Sequence, residues 1–241
     1  MPLARLFYRF HCVMPLVFFC KLALFKDRQK QMKRFLQTIT LLLFIAKASV
    51  LFAFEGELTI ERINYRDTTY YKYFVKDNLI RIDELNTKNE IQGTLLFDLN
   101  NQTILAVNHL RKVYIDYQPN TLSRDYSMSI VRKTTESKKI NGFACEKWTV
   151  SNPALDTKAV FWVTDGKYDF FLQLLLLWQK KDRLTQYYLQ IPASRGYLPI
   201  LAEEYYKNGK LKSKLEITQV DKKKIDDSVF EIPSDYFKYE F

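Results

Sequence analysis

The sequence predicts a mainly β domain: one antiparallel sheet that curls on itself and carries a single apolar helix. Three observations carry that reading. Turn residues recur in pairs along the chain, the short runs between them are rich in Tyr, Phe, Val, Ile and Thr, and one stretch alone spaces its apolar residues as a helix does.

The turns come first. Asp165-Gly166 and Asn208-Gly209 are hairpin dipeptides of the kind a type I′ turn selects, because that turn needs positive φ at both central residues. Asp77-Asn78, Asn100-Asn101 and Asn141-Gly142 add further turn signals. The chain has only six glycines, Gly56, Gly93, Gly142, Gly166, Gly196 and Gly209, and they fall largely at such breaks.

Between the turns, strands are expected at Glu57–Tyr65, Tyr70–Lys76, Leu79–Glu84, Gly93–Leu99, Thr103–Asn108 and Lys112–Tyr117. More are expected at Phe143–Ser151, Lys158–Thr164, Leu184–Gln190, Ile200–Lys207 and Lys210–Val220. Several alternate: Val113, Ile115 and Tyr117 face one way, Tyr114 and Asp116 the other. Strands so evenly spaced, with hairpin turns between them, make a meander in a large sheet.

The exception is Phe170–Trp178, FFLQLLLLW. Phe170, Phe171, Leu174, Leu175 and Trp178 share one helical face, and Leu172, Leu176 and Leu177 cover much of the rest. Nine residues cannot span a bilayer, so this helix is either a plug sealing the concave side of the sheet or a lid over a hydrophobic ligand. The two roles are compatible, since pockets form where a helix partly fills a hollow. The candidate apolar groove is therefore Trp148, Phe161, Phe171, Leu174, Leu175, Trp178 and Tyr197.

The N-terminus reads as an export signal. Met32-Lys33-Arg34 gives a basic head, Ile39 to Ala46 an apolar core, and Ala46–Ala48 or Ala53 a small-residue cleavage region, although Lys47 interrupts the run. Residues 32–53 are then a signal peptide, and 1–31 an extension from a misplaced start. A membrane-anchored N-terminus is the alternative for 1–31, where Pro15 and Lys21 break the apolar stretch Cys12–Phe25. The mature part, 54–241, suits one domain with one core, periplasmic or otherwise exported, and peripheral to a membrane at most.

This division changes the bulk numbers. Nine of the 37 Lys/Arg and one of the 27 Asp/Glu lie in 1–53, so 28 basic and 26 acidic residues remain beyond it. Nucleic acid is thereby excluded as an expected partner. Cys12 and Cys20 also lie in the leader, which leaves Cys145 alone and reads it as a packed strand residue rather than a disulfide partner.

Chemistry is sparse. His109, beyond the leader the one histidine, sits near Arg111 and Lys112 and is expected at an exposed turn. No metal, cofactor or catalytic residue is expected, because no nucleophile elbow, zinc-helix motif or phosphate-cradling loop is present. Asp83-Glu84 and Glu203-Glu204 are neighbours on strands and point to opposite faces, so neither is an acid/base pair; an inward Glu203 or Glu204 is the one to watch. Lys222-Lys223-Lys224 reads as a solvated turn.

Two stretches resemble a known family. Lys138 to Trp148, KKINGFACEKW, is similar to the "K-x-I-x-G-Y/F-x-C-x-K" hairpin of a bacterial periplasmic family labelled a domain of unknown function. Asp227 to Tyr236, DSVFEIPSDY, resembles that family's closing "D-S-x-F-x-I/V-P-x-x-Y". Between them Arg195 to Ile200 looks like its "G-x-P-L" strand entry, and upstream Arg81-Ile82-Asp83 and Leu95–Tyr114 look like its "R-x-D" strand and meander. The resemblance implies a LolA/LolB-like fold, that of outer-membrane lipoprotein carriers: an unclosed half-barrel with one or two helices on the concave face, whose relatives hold acyl chains. The sequence departs from them at Gln118–Glu136, which is short and polar where a long second helix is expected.

The resulting expectation is an exported envelope protein that binds a hydrophobic or lipid-like ligand, or a lipidated partner, without covalent chemistry. The alternative is a structural or interaction module with a packed interior and no ligand. In the tail, Pro233 is expected to end a strand, Phe230 and Ile232 to anchor on the core, and Tyr236, Phe237, Tyr239 and Phe241 to pack or sit at an edge.

Overall fold

The computed structural model describes residues 54–119 and 128–240. The stretches expected to be an extension and an export signal, 1–31 and 32–53, lie outside the described residues, as do Phe241 and 120–127 of the polar stretch.

Twelve strands form one sheet. They are β1 (Gly56–Asn64), β2 (Thr68–Lys76), β3 (Leu79–Leu85), β4 (Ile91–Asp98), β5 (Thr103–Asn108), β6 (Val113–Asp116), β7 (Ile130–Ile140), β8 (Phe143–Asn152), β9 (Thr157–Asp165), β10 (Tyr197–Tyr206), β11 (Leu211–Lys222) and β12 (Phe237–Lys238). The order is β12-β6-β5-β4-β3-β2-β1-β11-β10-β9-β8-β7. Two meanders, β1–β6 and β7–β11, thus meet where β1 pairs with β11 from Gly56↔Lys222 to Asn64↔Ser213. All pairs are antiparallel except β12 with β6. The outermost strands, β12 and β7, do not pair with each other, so the sheet is an unclosed half-barrel. Its curl has a local cause: the register shifts at Thr59/Ile60, Glu84/Leu85, Lys133/Ser137, Pro199/Leu201 and Glu204/Tyr205, and each such bulge bends its strand.

Alternation decides the two faces. Leu58, Ile60, Tyr73, Val75, Ile80, Ile82, Phe97 and Ile104 point to the helix side and are at most 7% exposed. Two helices occupy that side, α1 (Asp169–Trp178) and α2 (Arg183–Tyr188). Phe170, Leu174, Leu177 and Trp178 of α1 join the side chains just named in one core, while Leu175 joins Trp148, Phe161 and α2 in a second.

Ten of the eleven expected strands are present. The eleventh, Leu184–Gln190, is helix α2 instead. Asp182 caps it, its Oδ1 accepting from the Thr185 N–H at 3.0 Å, and Leu184, Tyr187, Tyr188 and Ile191 bury one helical stripe. Their β-favouring composition is overridden by that cap and stripe. Strand β7, in the stretch expected to be merely polar, is missed because an edge strand solvated on both faces shows no apolar alternation; nearly all of it is exposed.

The turns differ in detail. Asn141-Gly142 closes the β7–β8 hairpin with φ of 48° and 89°, the pair of positive values a type I′ turn requires. Asn208-Gly209 closes β10–β11 with Gly209 alone at positive φ. Asp165-Gly166 closes no hairpin; the chain leads through Lys167, at φ 63°, into α1. The tail also departs from expectation: a 3-10 turn over Asp227–Phe230, not a strand, precedes Pro233. Phe230 and Ile232 are half-buried, and Phe237 lies exposed at the sheet edge.

Candidate functional site

Helix α1 fills the hollow and is bound there almost wholly by apolar contact. Its first residue, Asp169, pairs with Arg195 at 2.7 Å, but both side chains are largely exposed, which makes such a pair weak. The N-cap, Tyr168, contributes no side-chain hydrogen bond. Gln179 ends the helix in the left-handed region at φ 47°, its N–H reaching Leu175 O at 3.0 Å. The helix is therefore bracketed by two left-handed residues, Lys167 and Gln179. Leu176 faces outward, 55% exposed.

Helix α2 is fastened quite differently. Arg62 of β1 approaches Asp182 at 3.7 Å. Arg183, on the first turn, reaches Glu204 at 3.4 Å, and Glu204 also accepts from Lys212 at 2.8 Å and from the Ser213 hydroxyl at 3.2 Å. Glu204 is 4% exposed while Glu203 is half-buried on the other face. The pair thus splits as strand alternation requires, with Glu204 turned inward. Tyr187 adds a buried hydroxyl contact to Thr157 at 2.6 Å.

The seven groove residues are distributed over both cores. Trp148, Phe161 and Leu175 are buried together, with Phe171 and Tyr197 half-buried at their margin. Leu174 and Trp178 belong to the other core, where the Trp178 ring lies 5.4 Å from that of Phe97. Phe171 touches both. Sequence reasoning missed Tyr188, whose ring meets Phe161 and Phe171, each at 5.4 Å, and whose hydroxyl donates to Tyr197 O at 3.1 Å. The signal was the Asp182 cap followed by helical spacing. Lys133 lies over the Trp148 ring at 3.9 Å and donates to Ala193 O; burial lowers its pKa.

Two open clefts lie elsewhere, one of about 620 Å³ lined by Lys138, Lys147, Trp162, Glu203 and Tyr205, the other of about 720 Å³ beside Tyr65, Arg183 and Tyr206. None of the seven groove residues lines either. Lys138 sits over the Trp162 ring at 4.0 Å.

The outer face of β3–β6 carries a polar chain that joins the 81–83 stretch to the C-terminal one. Arg81 donates to Asp83 at 2.9 Å and to Val229 O at 3.0 Å. Thr94 donates its hydroxyl to Asp83 at 2.5 Å and lies 2.8 Å from His109 Nε2, and His109 Nδ1 lies 3.0 Å from the Tyr236 hydroxyl. With the Thr94 proton committed to Asp83, His109 Nε2–H donates to Thr94 and Tyr236 O–H donates to Nδ1. His109 does sit at the turn after β5 but is not exposed there; it is half-buried, and burial, with Arg81 adding, pushes its pKa down. Lys76 donates to Ile225 O and Asp227, and Lys112 pairs with Asp235, so the tail is clasped along its length. Lys223, of the expected solvated turn, pairs with Glu57 at 2.8 Å. Cys145 is 1% exposed, and burial raises its thiol pKa.

Among the described residues no group of three or more His, Cys, Asp or Glu side chains is placed to hold a metal ion, and no helix is long and apolar enough to cross a membrane. The arrangement is that of a curled β half-barrel whose hollow is occupied by its own apolar helix. The chain belongs to the DUF4412 family, a domain of unknown function, whose profile matches residues 54–236. No curated protein matches it. Among solved structures it is similar to an uncharacterized conserved protein from Thermus thermophilus, at 8% identity, 78% of this chain, 91% of that one and a TM-score of 0.49. MucB in the Pseudomonas aeruginosa MucA/MucB complex is similar at 11% identity and a TM-score of 0.44, and the match covers 76% of this chain but only 56% of that one. A lipoprotein-sorting domain from Vibrio parahaemolyticus is similar at 10% identity, 73% and 88% coverage and a TM-score of 0.30. At such identities and scores nothing of what these proteins bind is carried over.

Proposed function

We propose that this is an exported envelope protein that binds a hydrophobic, lipid-like ligand, or the acyl chain of a lipidated partner, in the hollow now occupied by α1. One observation carries the reading: α2 is fastened by buried charge while α1 is held by oily contact, one exposed ion pair and left-handed residues at both ends. An apolar ligand entering the hollow re-covers the sheet side chains that α1 uncovers, which offsets their exposure at about 25 cal/mol per Å² of apolar surface. The Met32–Ala53 leader supplies the address. A second reading, a packed interaction module, is favoured by the near-complete burial of Trp148, Phe161 and Leu174; its contact surface would be the free β7 edge.

The test is hydrogen exchange on the purified protein with and without palmitate. Bound palmitate should raise exchange at 169–178 and leave 183–188 protected. Ile82→Asp, on the floor of the hollow, should lose co-purifying lipid while the exposed Glu231→Ala retains it. Palmitate bound with α1 exchange unchanged refutes the moving helix, and an absence of binding favours the packed module.

A further inference from the structure

Where the chain leaves α1, one cation stands unpaired. Lys180 Nζ lies 4.5 Å from the Trp178 ring centroid and 5.4 Å from that of Tyr71, and among the described residues it makes no ion pair. The charged and titratable groups around it are Arg62 on β1, Tyr71 on β2, Glu84 on β3 and Asp182 ahead of α2. Asp182 is already committed: it accepts from the Thr185 N–H and hydroxyl and faces Arg62. Glu84 is exposed. Aromatic faces thus stand in for the carboxylate that a half-buried lysine ordinarily finds. Burial brings its pKa down to about 8, so the amine is charged at pH 7 and neutral by pH 9.5.

The position matters as much as the charge. Trp178 packs on Phe97, at the floor of the hollow, so Lys180 stands at the rim above a surface of Tyr73, Val75, Ile80, Ile82 and Phe97 that is apolar but for the Tyr73 hydroxyl. We propose that Lys180 is the head-group site for a long-chain carboxylate whose tail takes the place of the turns of α1 that precede Trp178, which itself stays on Phe97 and holds Lys180 at the rim; this rests on the hollow being a ligand site. The head is a carboxylate: Arg62 already faces Asp182 and Glu84 is turned to solvent, so Lys180 is the cation left over, and one ammonium balances one negative charge. The carboxylate accepts from the ammonium, and its tail runs along β2–β4.

The experiment compares cis-parinaric acid with its neutral methyl ester, binding being read by fluorescence on the full chain. Wild-type protein at pH 7 should prefer the acid by about tenfold, the effect of one charge-assisted contact, and lose the preference at pH 9.5. Lys180→Met should bind the ester as wild type does and show no preference, with an unchanged melting curve as the check on folding. Lys180→Arg should keep the preference at pH 9.5, since guanidinium stays charged. Persistence of the acid preference in Lys180→Met overturns the assignment, as does equal binding of both probes by wild type at pH 7, which leaves the hollow itself standing. Binding of neither probe overturns the hollow reading and this one with it.

Discussion

Glu203 and Glu204 are adjacent in sequence and should respond very differently to truncation. Glu204→Ala removes a carboxylate whose side chain is 5% exposed and strands Arg183 and Lys212, 18% and 30% exposed. Deleting one partner of a fully buried ion pair costs about 3–5 kcal/mol. Both cations here keep some access to water and can partly rehydrate, so about 2 kcal/mol is the working figure. At a urea m-value of about 2.5 kcal/mol/M, that lowers the unfolding midpoint by about 0.8 M at constant m. Glu203→Ala, on the opposite face, should cost under about 0.5 kcal/mol, a shift of about 0.2 M or less. Glu204→Gln, which keeps an acceptor for Lys212 and Ser213, should fall between. Equal shifts for the two alanine variants, or a larger one for Glu203→Ala, would mean that the β10 register is wrong and that α2 is not anchored as described.

The tail clasp gives a pH signature. His109 titrates below its ordinary value of about 6.5 when folded, so the unfolded chain binds the extra proton more readily. Stability is then full above about pH 6.5 and declines as pH falls from there toward the depressed folded value; His109→Gln should flatten that part of a urea-midpoint profile. Tyr236→Phe removes the hydroxyl that donates to Nδ1 and should cost about 1 kcal/mol at pH 7.5, and a variant as stable as wild type would show the contact to be idle. Cys145, buried on β8, should resist a thiol-labelling reagent in the native protein and react on unfolding; peptide mapping that finds it modified under native conditions would contradict its placement.

What local chemistry encodes was legible in the residues. Period-two runs such as Leu79–Glu84 and Thr103–Asn108, bounded by turn residues, gave ten strands close to their observed limits, because alternation and turn preference are properties of neighbours along the chain. The apolar helix was equally plain, since FFLQLLLLW has no strand-like polar face. Leu184–Gln190 and Ile130–Ile140 were not legible, the first because a cap and a buried stripe outweighed β-favouring side chains, the second because an edge strand needs no apolar pattern. The functional surroundings were less visible still. Lys180 beside Trp178 and Tyr71, Glu204 beneath Arg183, and the chain from Asp83 through Thr94 and His109 to Tyr236 join residues brought together only by the sheet's order and curl. By itself the sequence determined ten of the twelve strands, which segment is the oily helix, and that a curled sheet would carry it. Tertiary structure alone decided which charges are buried and which stands unpaired, because pairing across strands depends on distances that no spacing along the chain contains.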